Sequence, residues 1–145
     1  SVSTSAAAVS GADVVCTATS SHTPVLHAED VSPGAHLNGV GSYTLQMQEV
    51  PLELVRRARV WVDSREAARA EAGDLAPAVD AGLLAWDSLP ELGEVLLGKR
   101  DGRRDEREIT FFKSVGLAVQ DVSAAGLVAR RAGELGLGQE LRSSS

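Results

Sequence analysis

The sequence predicts an α/β fold built on a mainly parallel sheet. Three observations predict it. Short apolar runs and helical segments follow one another as strand, strand, helix, strand, helices, strand, long helix. Such alternation implies parallel strands joined by right-handed crossovers. Aromatic residues make up only 3% of the chain, so the core is built from Val, Leu and Ala. That suits helices on a sheet better than an aromatic-rich sandwich. Finally, three strand ends carry small polar residues: Thr17 to Ser20, Gly41 to Ser42, and Ser114 to Gly116. Small residues at the carboxyl ends of parallel strands leave room for a ligand.

Each element has its own signal. Ser5 to Val9 is rich in alanine and stops before Gly11, as a short helix would. Asp13 to Thr19 follows as the first strand. Its continuous run Val14-Val15-Cys16 predicts burial on both faces, which makes Cys16 a buried core thiol. Ala28 to Val31 allows one helical turn, and Ser32-Pro33-Gly34 is a turn signal. Ala35 to Val40 is the second strand. His36 opens it and is expected as a hydrogen-bonded structural residue. Pro51 is predicted at the first position of a helix, with Glu53 in its first turn and Arg56 and Arg57 in its last. Glu49, just before it, is expected to be solvated.

Arg59 to Asp63 is the third strand. Asp63 or Ser64 then caps a helix from Arg65 to Ala72 that ends at Gly73, with Glu66 near a capping-box position. Asp74 to Leu84 is weakly helical, and Pro90 opens a helix over Glu91 to Leu97. Lys99 to Glu108 mixes both charges and is expected as a solvated loop. Ile109 to Lys113 is the fourth strand. From Leu117 to Leu135, apolar residues at Leu117, Val119, Val122, Ala125, Val128, Ala129 and Ala132 make a broad stripe on one long helix. Gly136 and Gly138 end it, and Arg142 to Ser145 is a loose tail.

Composition narrows the function. At 145 residues and 43% hydrophobic content the chain can form one domain with a real core. Its net charge of −6, with no basic stripe, argues against nucleic acid. No apolar run approaches the ~20 residues of a membrane helix. The single cysteine allows no internal disulfide and points to a reducing cytoplasm. No His, Cys or carboxylate spacing matches a metal site. Thr17, Ala18 and Thr19 could offer hydroxyls and backbone N–H groups to a ribose or phosphate. On pattern alone the ligand is nucleotide-like, and the alternative is a capped turn.

Five runs, taken in order, resemble the ornithine cyclodeaminase/mu-crystallin family of dehydrogenases. They are residues 12–19 (ADVVCTAT), 36–42 (HLNGVGS), 62–67 (VDSREA), 91–95 (ELGEV) and 112–121 (FKSVGLAVQD). The resemblance spans about Ala12 to Gly136. It implies the C-terminal part of a Rossmann-like parallel sheet domain: a partial NAD(P)-binding domain over residues 1–116, with a closing helix and tail over 117–145. The implied activity is an NAD(P)-dependent oxidoreductase acting on small amino or cyclic imino acids, homodimeric at full length. Thr17, Ala18 and Thr19 would border the cofactor, Val40, Gly41 and Ser42 would lie near the nicotinamide, and Ser114 and Gly116 would close the site. No catalytic residue is assigned.

Two departures shape this expectation. Cyclodeaminases carry an acid just past the Val-Gly pair, where this chain has Ser42 and Tyr43; a proline-containing turn is replaced by Leu45-Gln46. The Gly41-Ser42 pair resembles the mu-crystallin/ketimine reductase branch more than a cyclodeaminase. The chain also has no Gly-x-Gly-x-x-Gly run to seat a pyrophosphate. It therefore reads as the C-terminal half of such an enzyme, inactive and association-prone by itself, because its first strand would lack a neighbour. The competing expectations are a non-catalytic small-ligand binder on the same scaffold, an ornithine cyclodeaminase, and a plain α/β interaction domain.

Overall fold

A computed structural model describes residues 4–139, which fall into two compact units divided between Val115 and Gly116. The first unit contains, in chain order, α1 (Ser5–Val9), β1 (Val14–Thr17), β2 (His36–Gly39), α2 (Leu52–Arg57), β3 (Arg59–Val62), α3 (Arg65–Glu71), α4 (Ala76–Asp80), α5 (Leu92–Leu96) and β4 (Thr110–Lys113). Single 3₁₀ turns cover Ala28–Asp30 and Trp86–Ser88, and no sequence signal marks the second. The second unit contains α6 (Ala118–Leu135). Among the described residues no helix is long and apolar enough to cross a membrane.

The four strands form one parallel sheet in the order β1-β2-β4-β3. The α/β expectation is borne out. Because every pair is parallel, all four carboxyl ends lie along one side, as a strand-end site requires. The last strand enters between two earlier ones. β1 stands at one edge with no partner beyond it among the described residues, whereas Val62 on β3 makes a bridge to Glu91.

Register explains the core. Val15, Leu37, Phe111 and Val60 lie side by side on one face. They join Leu54, Val55, Ala68, Leu75 and Ala78 of the covering helices and loops in a single cluster. The next row on that face is Thr17, Gly39, Lys113 and Val62, all buried. The opposite face is more open. β1 alternates between exposed and buried, so Val14 is 59% exposed and Cys16 is exposed. The expectations that β1 is buried on both faces and that Cys16 is a core thiol are therefore corrected. A continuous apolar run cannot report which face a helix covers.

Helix ends follow their caps. Thr4 Oγ1 accepts from Ala7 N at 3.2 Å, and Ser64, not Asp63, caps α3. Pro51 stands at the cap of α2 with extended ψ of 149°, one residue before its expected place. The weakly helical stretch after Asp74 condenses to the five residues of α4. α6 ends where Gly136 takes a left-handed φ of 63°, the usual role of a glycine after a helix. None of its residues is buried, and Val119, Val122 and Val128 of its apolar stripe are exposed. The tail from Arg142 to Ser145 lies outside the described residues.

The charged loop is more than a solvated connector. Most of it is exposed, but Arg103 donates to the carbonyls of Gly34 and Glu108 at 2.6 Å and to Thr110 Oγ1 at 2.9 Å. Glu108 receives both Arg59 and Arg104. These contacts close the amino ends of β2, β3 and β4. Burial pushes the Glu108 carboxyl up, but hydrogen bonds from Arg104 and Arg59 bring it down to about 2. Glu94 is likewise held at about 2, chiefly by Arg65. Carboxyls lowered on folding contribute stability above the ordinary carboxylate range and lose it as pH falls through the folded value. The urea midpoint is accordingly expected to fall steadily between about pH 4.5 and 2. A midpoint flat across that window in an acid titration would contradict these contacts.

Candidate functional site at the strand ends

The carboxyl ends of β1 and β2 are joined by one side chain. Glu49 is fully buried, so its expected solvated place is corrected. Its Oε2 accepts from Thr17 Oγ1 at 3.1 Å, Gly41 N at 2.9 Å and Ser42 N at 3.1 Å. Its Oε1 accepts from Thr19 N at 2.5 Å. Burial pushes this carboxyl up, but these donors outweigh it, and the group lies below the ordinary carboxylate range. Four donors on two oxygens match what an ionised carboxylate accepts.

A second layer lies beneath. Asp74, also fully buried, accepts through Oδ1 from Glu49 N at 2.6 Å and Val50 N at 2.9 Å. Its Oδ2 pairs with Lys113 Nζ at 3.3 Å. That ammonium donates to Gly39 O at 3.1 Å and Ser42 O at 2.5 Å. Lys113 is completely buried. Burial lowers its pKa, and the neighbouring charges of Asp74 and Glu49 offset this only in part. The ends of β1, β2 and β4 are thus locked by three buried ionisable residues, each paired or hydrogen-bonded as buried charge requires.

Glycine makes the approach possible. A Cβ on Gly41 would overlap the Thr19 backbone and Glu49 Oε1, so the two strand-end loops are already in contact. On Gly39 it would come within 2.7 Å of the Phe111 ring.

The predicted site residues divide into two groups. Thr17, Gly41 and Ser42 are brought together with Thr19 around Glu49. Ala18, Thr19 and Val40 are exposed at the same place, with Val40 47% exposed. Of the groups expected to face a ribose or phosphate, the Thr19 N–H and the Thr17 hydroxyl are instead used by Glu49, as are the N–H groups of Gly41 and Ser42. Ser114 lies beyond β4, where its Oγ donates to Asp63 Oδ2 at 2.8 Å. Val115 N donates to the same oxygen at 2.9 Å. Gly116 opens the second unit with φ of 89° and is described within that unit alone. Sequence reasoning misses Glu49, Asp74 and Lys113 as a group; their spacing carries no motif.

His36 sits at the opposite, amino end of β2. Its Nδ1 is 2.7 Å from Thr110 Oγ1, and its Nε2 is 3.3 Å from Asn38 Oδ1. Arg103 donates to that same threonine hydroxyl, and the Asn38 carbonyl oxygen can only accept. The network therefore favours a proton on Nε2. Burial and the Arg103 charge lower the His36 pKa against the opposing Asn38 bond. This is the structural role expected of it.

Comparison with known proteins places the chain. Residues 1–135 match the ornithine cyclodeaminase/mu-crystallin family. A Delta(1)-pyrroline-2-carboxylate reductase of Bacillus cereus is 43% identical over 136 residues, covering 92% of this chain and 42% of the relative. Ketimine reductase mu-crystallin of Mus musculus is 45% identical over 121 residues, covering 83% of this chain and 36% of the relative. The structure of Thermococcus litoralis Delta(1)-pyrroline-2-carboxylate reductase in complex with NADH and L-proline superposes with a TM-score of 0.83 at 34% identity. That match covers 97% of this chain and 44% of the solved one. The chain therefore spans less than half the length of these relatives.

Proposed function

Because the chain belongs to the ornithine cyclodeaminase/mu-crystallin family, we propose that it supplies the strand-end half of the site of an NAD(P)-dependent oxidoreductase. The substrates are small amino or cyclic imino acids, in the manner of a ketimine reductase or amino-acid dehydrogenase. The observation that carries this reading is the locked pair of loops, Thr17 to Thr19 and Val40 to Ser42, at the carboxyl ends of adjacent parallel strands. The exposed side chains of Ala18 and Val40 fit the flat nicotinamide end of the cofactor. Nothing in the chain offers the glycine-rich turn that seats a pyrophosphate.

When bound, NAD(P)H supplies the hydride. This chain's residues hold the ring, limit its approach and keep water from one side. Thr17 to Thr19 border the cofactor, Val40 to Ser42 lie by the nicotinamide, and Ser114 closes the site from β4. The substrate's carboxylate is held by residues outside this chain, so the chain alone is inactive. A cytoplasmic homodimer at full length is part of the same proposal. A cyclodeaminase is disfavoured because Ser42 is buried and hydrogen-bonded to Met47 O and Tyr43 is exposed where that branch has an acid. The same substitution favours, as a second reading, a small-ligand binder without catalysis.

Fluorescence titration with NADH and NADPH tests the proposal, using this chain and a version extended upstream by roughly one Rossmann half. Binding by the extended protein alone is the expected result, and a cyclic ketimine screen then follows. Tight binding by the short chain would overturn the half-site view. Absence of binding by both would favour a non-enzymatic role.

The open edge of β1 leads to a further expectation. Its outer backbone groups have no neighbouring strand among the described residues, and Val14 and Cys16 stand exposed beside them. Unpaired edges of this kind recruit other chains. Light scattering is expected to show a mass that rises with protein concentration. A strictly monomeric, freely soluble preparation would count against it.

A further inference from the structure

We propose that Glu49 is a positioning residue for the strand-end ledge: its carboxylate fixes the relative placement of the loops after β1 and β2. The inference rests on the reading of this ledge as the ligand site. Glu49 is fully buried, and it acts on the ledge through the backbone. One carboxylate gathers three N–H groups from two loops and one hydroxyl from the end of β1. The glycine at position 41 allows the loops to meet there. Asp74 fixes the peptide of Glu49 from below, and Lys113 fixes the carbonyls of Gly39 and Ser42.

The arrangement also selects ligand chemistry. The N–H groups of Thr19, Gly41 and Ser42 are turned inward onto a negative charge and are not free for a phosphate. The ledge instead presents the side chains of Ala18 and Val40. These two apolar side chains suit the face of a flat ring.

Amide NMR on labelled protein extended upstream by roughly one Rossmann half tests this, with that parent and its Glu49→Gln variant each measured with and without NADH as probe. Charged and titratable neighbours of Glu49 are Asp74 and Lys113, so all three are followed from pH 7 downward. In the parent, the amides of Thr19, Gly41 and Ser42 are expected to exchange slowly and to titrate together, below the ordinary glutamate range. In Glu49→Gln their exchange is expected to speed up by about tenfold or more, the equivalent of one charge-assisted hydrogen bond. Core amides of β4 should change far less.

Unchanged exchange at the three amides would overturn the proposal. If the variant does not fold, the parent decides alone: independent titration of the three amides in the ordinary range overturns it, and joint titration below that range supports it. The NADH arm separates the two readings. Shifts at Ala18 and Val40 that vanish in Glu49→Gln support positioning, and shifts that persist overturn it. No shifts in the parent argue against the ledge as a ligand site and leave the exchange result to decide the role of Glu49.

Discussion

Lys113→Met is expected to cost about 3–5 kcal/mol of folding stability, the usual penalty for removing one partner of a buried ion pair. Methionine nearly matches the length of the side chain, so the loss is electrostatic and not a cavity. Without the ammonium, Asp74 and Glu49 remain as two buried negative charges, and the carbonyls of Gly39 and Ser42 lose their donor. Urea unfolding at pH 7 measures the effect. Combining Lys113→Met with Asp74→Asn should recover part of the loss, because asparagine can still accept from Glu49 N and Val50 N without a charge. A Lys113→Met protein within about 1 kcal/mol of the parent would be at odds with a locked buried network.

Phe111→Ala carries a comparable expectation of about 3–5 kcal/mol. Phe111 is fully buried at the centre of the sheet, in register with Leu37 and Val60. Its ring also fills the space over Gly39. Gly39→Ala alone should therefore cost about 1–3 kcal/mol through overpacking, yet little when Phe111 is already alanine. A double-mutant cycle by chemical denaturation reads this coupling directly. Additive costs would show that the glycine is required for some other reason.

Much of the scaffold is legible in the chain because its signals are local. Alternation of apolar runs with capped helical segments places all four strands. Ser64 and Gly136 mark helix boundaries by cap chemistry alone. What is not legible depends on distance along the chain. Glu49 looks like a surface acid before a proline, since its partners at Thr17, Thr19 and Gly41 are separated from it by up to 32 residues. Lys113 follows two phenylalanines and carries no sign that it will be buried, because the Gly39 carbonyl it reaches lies 74 residues earlier. Val14 and Cys16 mislead for a related reason: hydrophobicity records a preference for burial, while coverage of a sheet face is decided by where helices land. Arg103 reads as one charge among many, and only the fold shows it reaching Gly34.

The strand order also constrains how the chain comes to be folded. β4 inserts between β2 and β3, so neither of those strands has its inner neighbour until residues 110–113 are available. A ribosome making this chain from its amino end would have produced β1, β2 and β3 well before the keystone strand emerges. In that interval β2 and β3 expose backbone groups that only β4 can satisfy, a state of the kind that chaperones attend. Because pairing across so long a separation is slow to form, the sheet and the buried Lys113 lock should appear together, late and in one step.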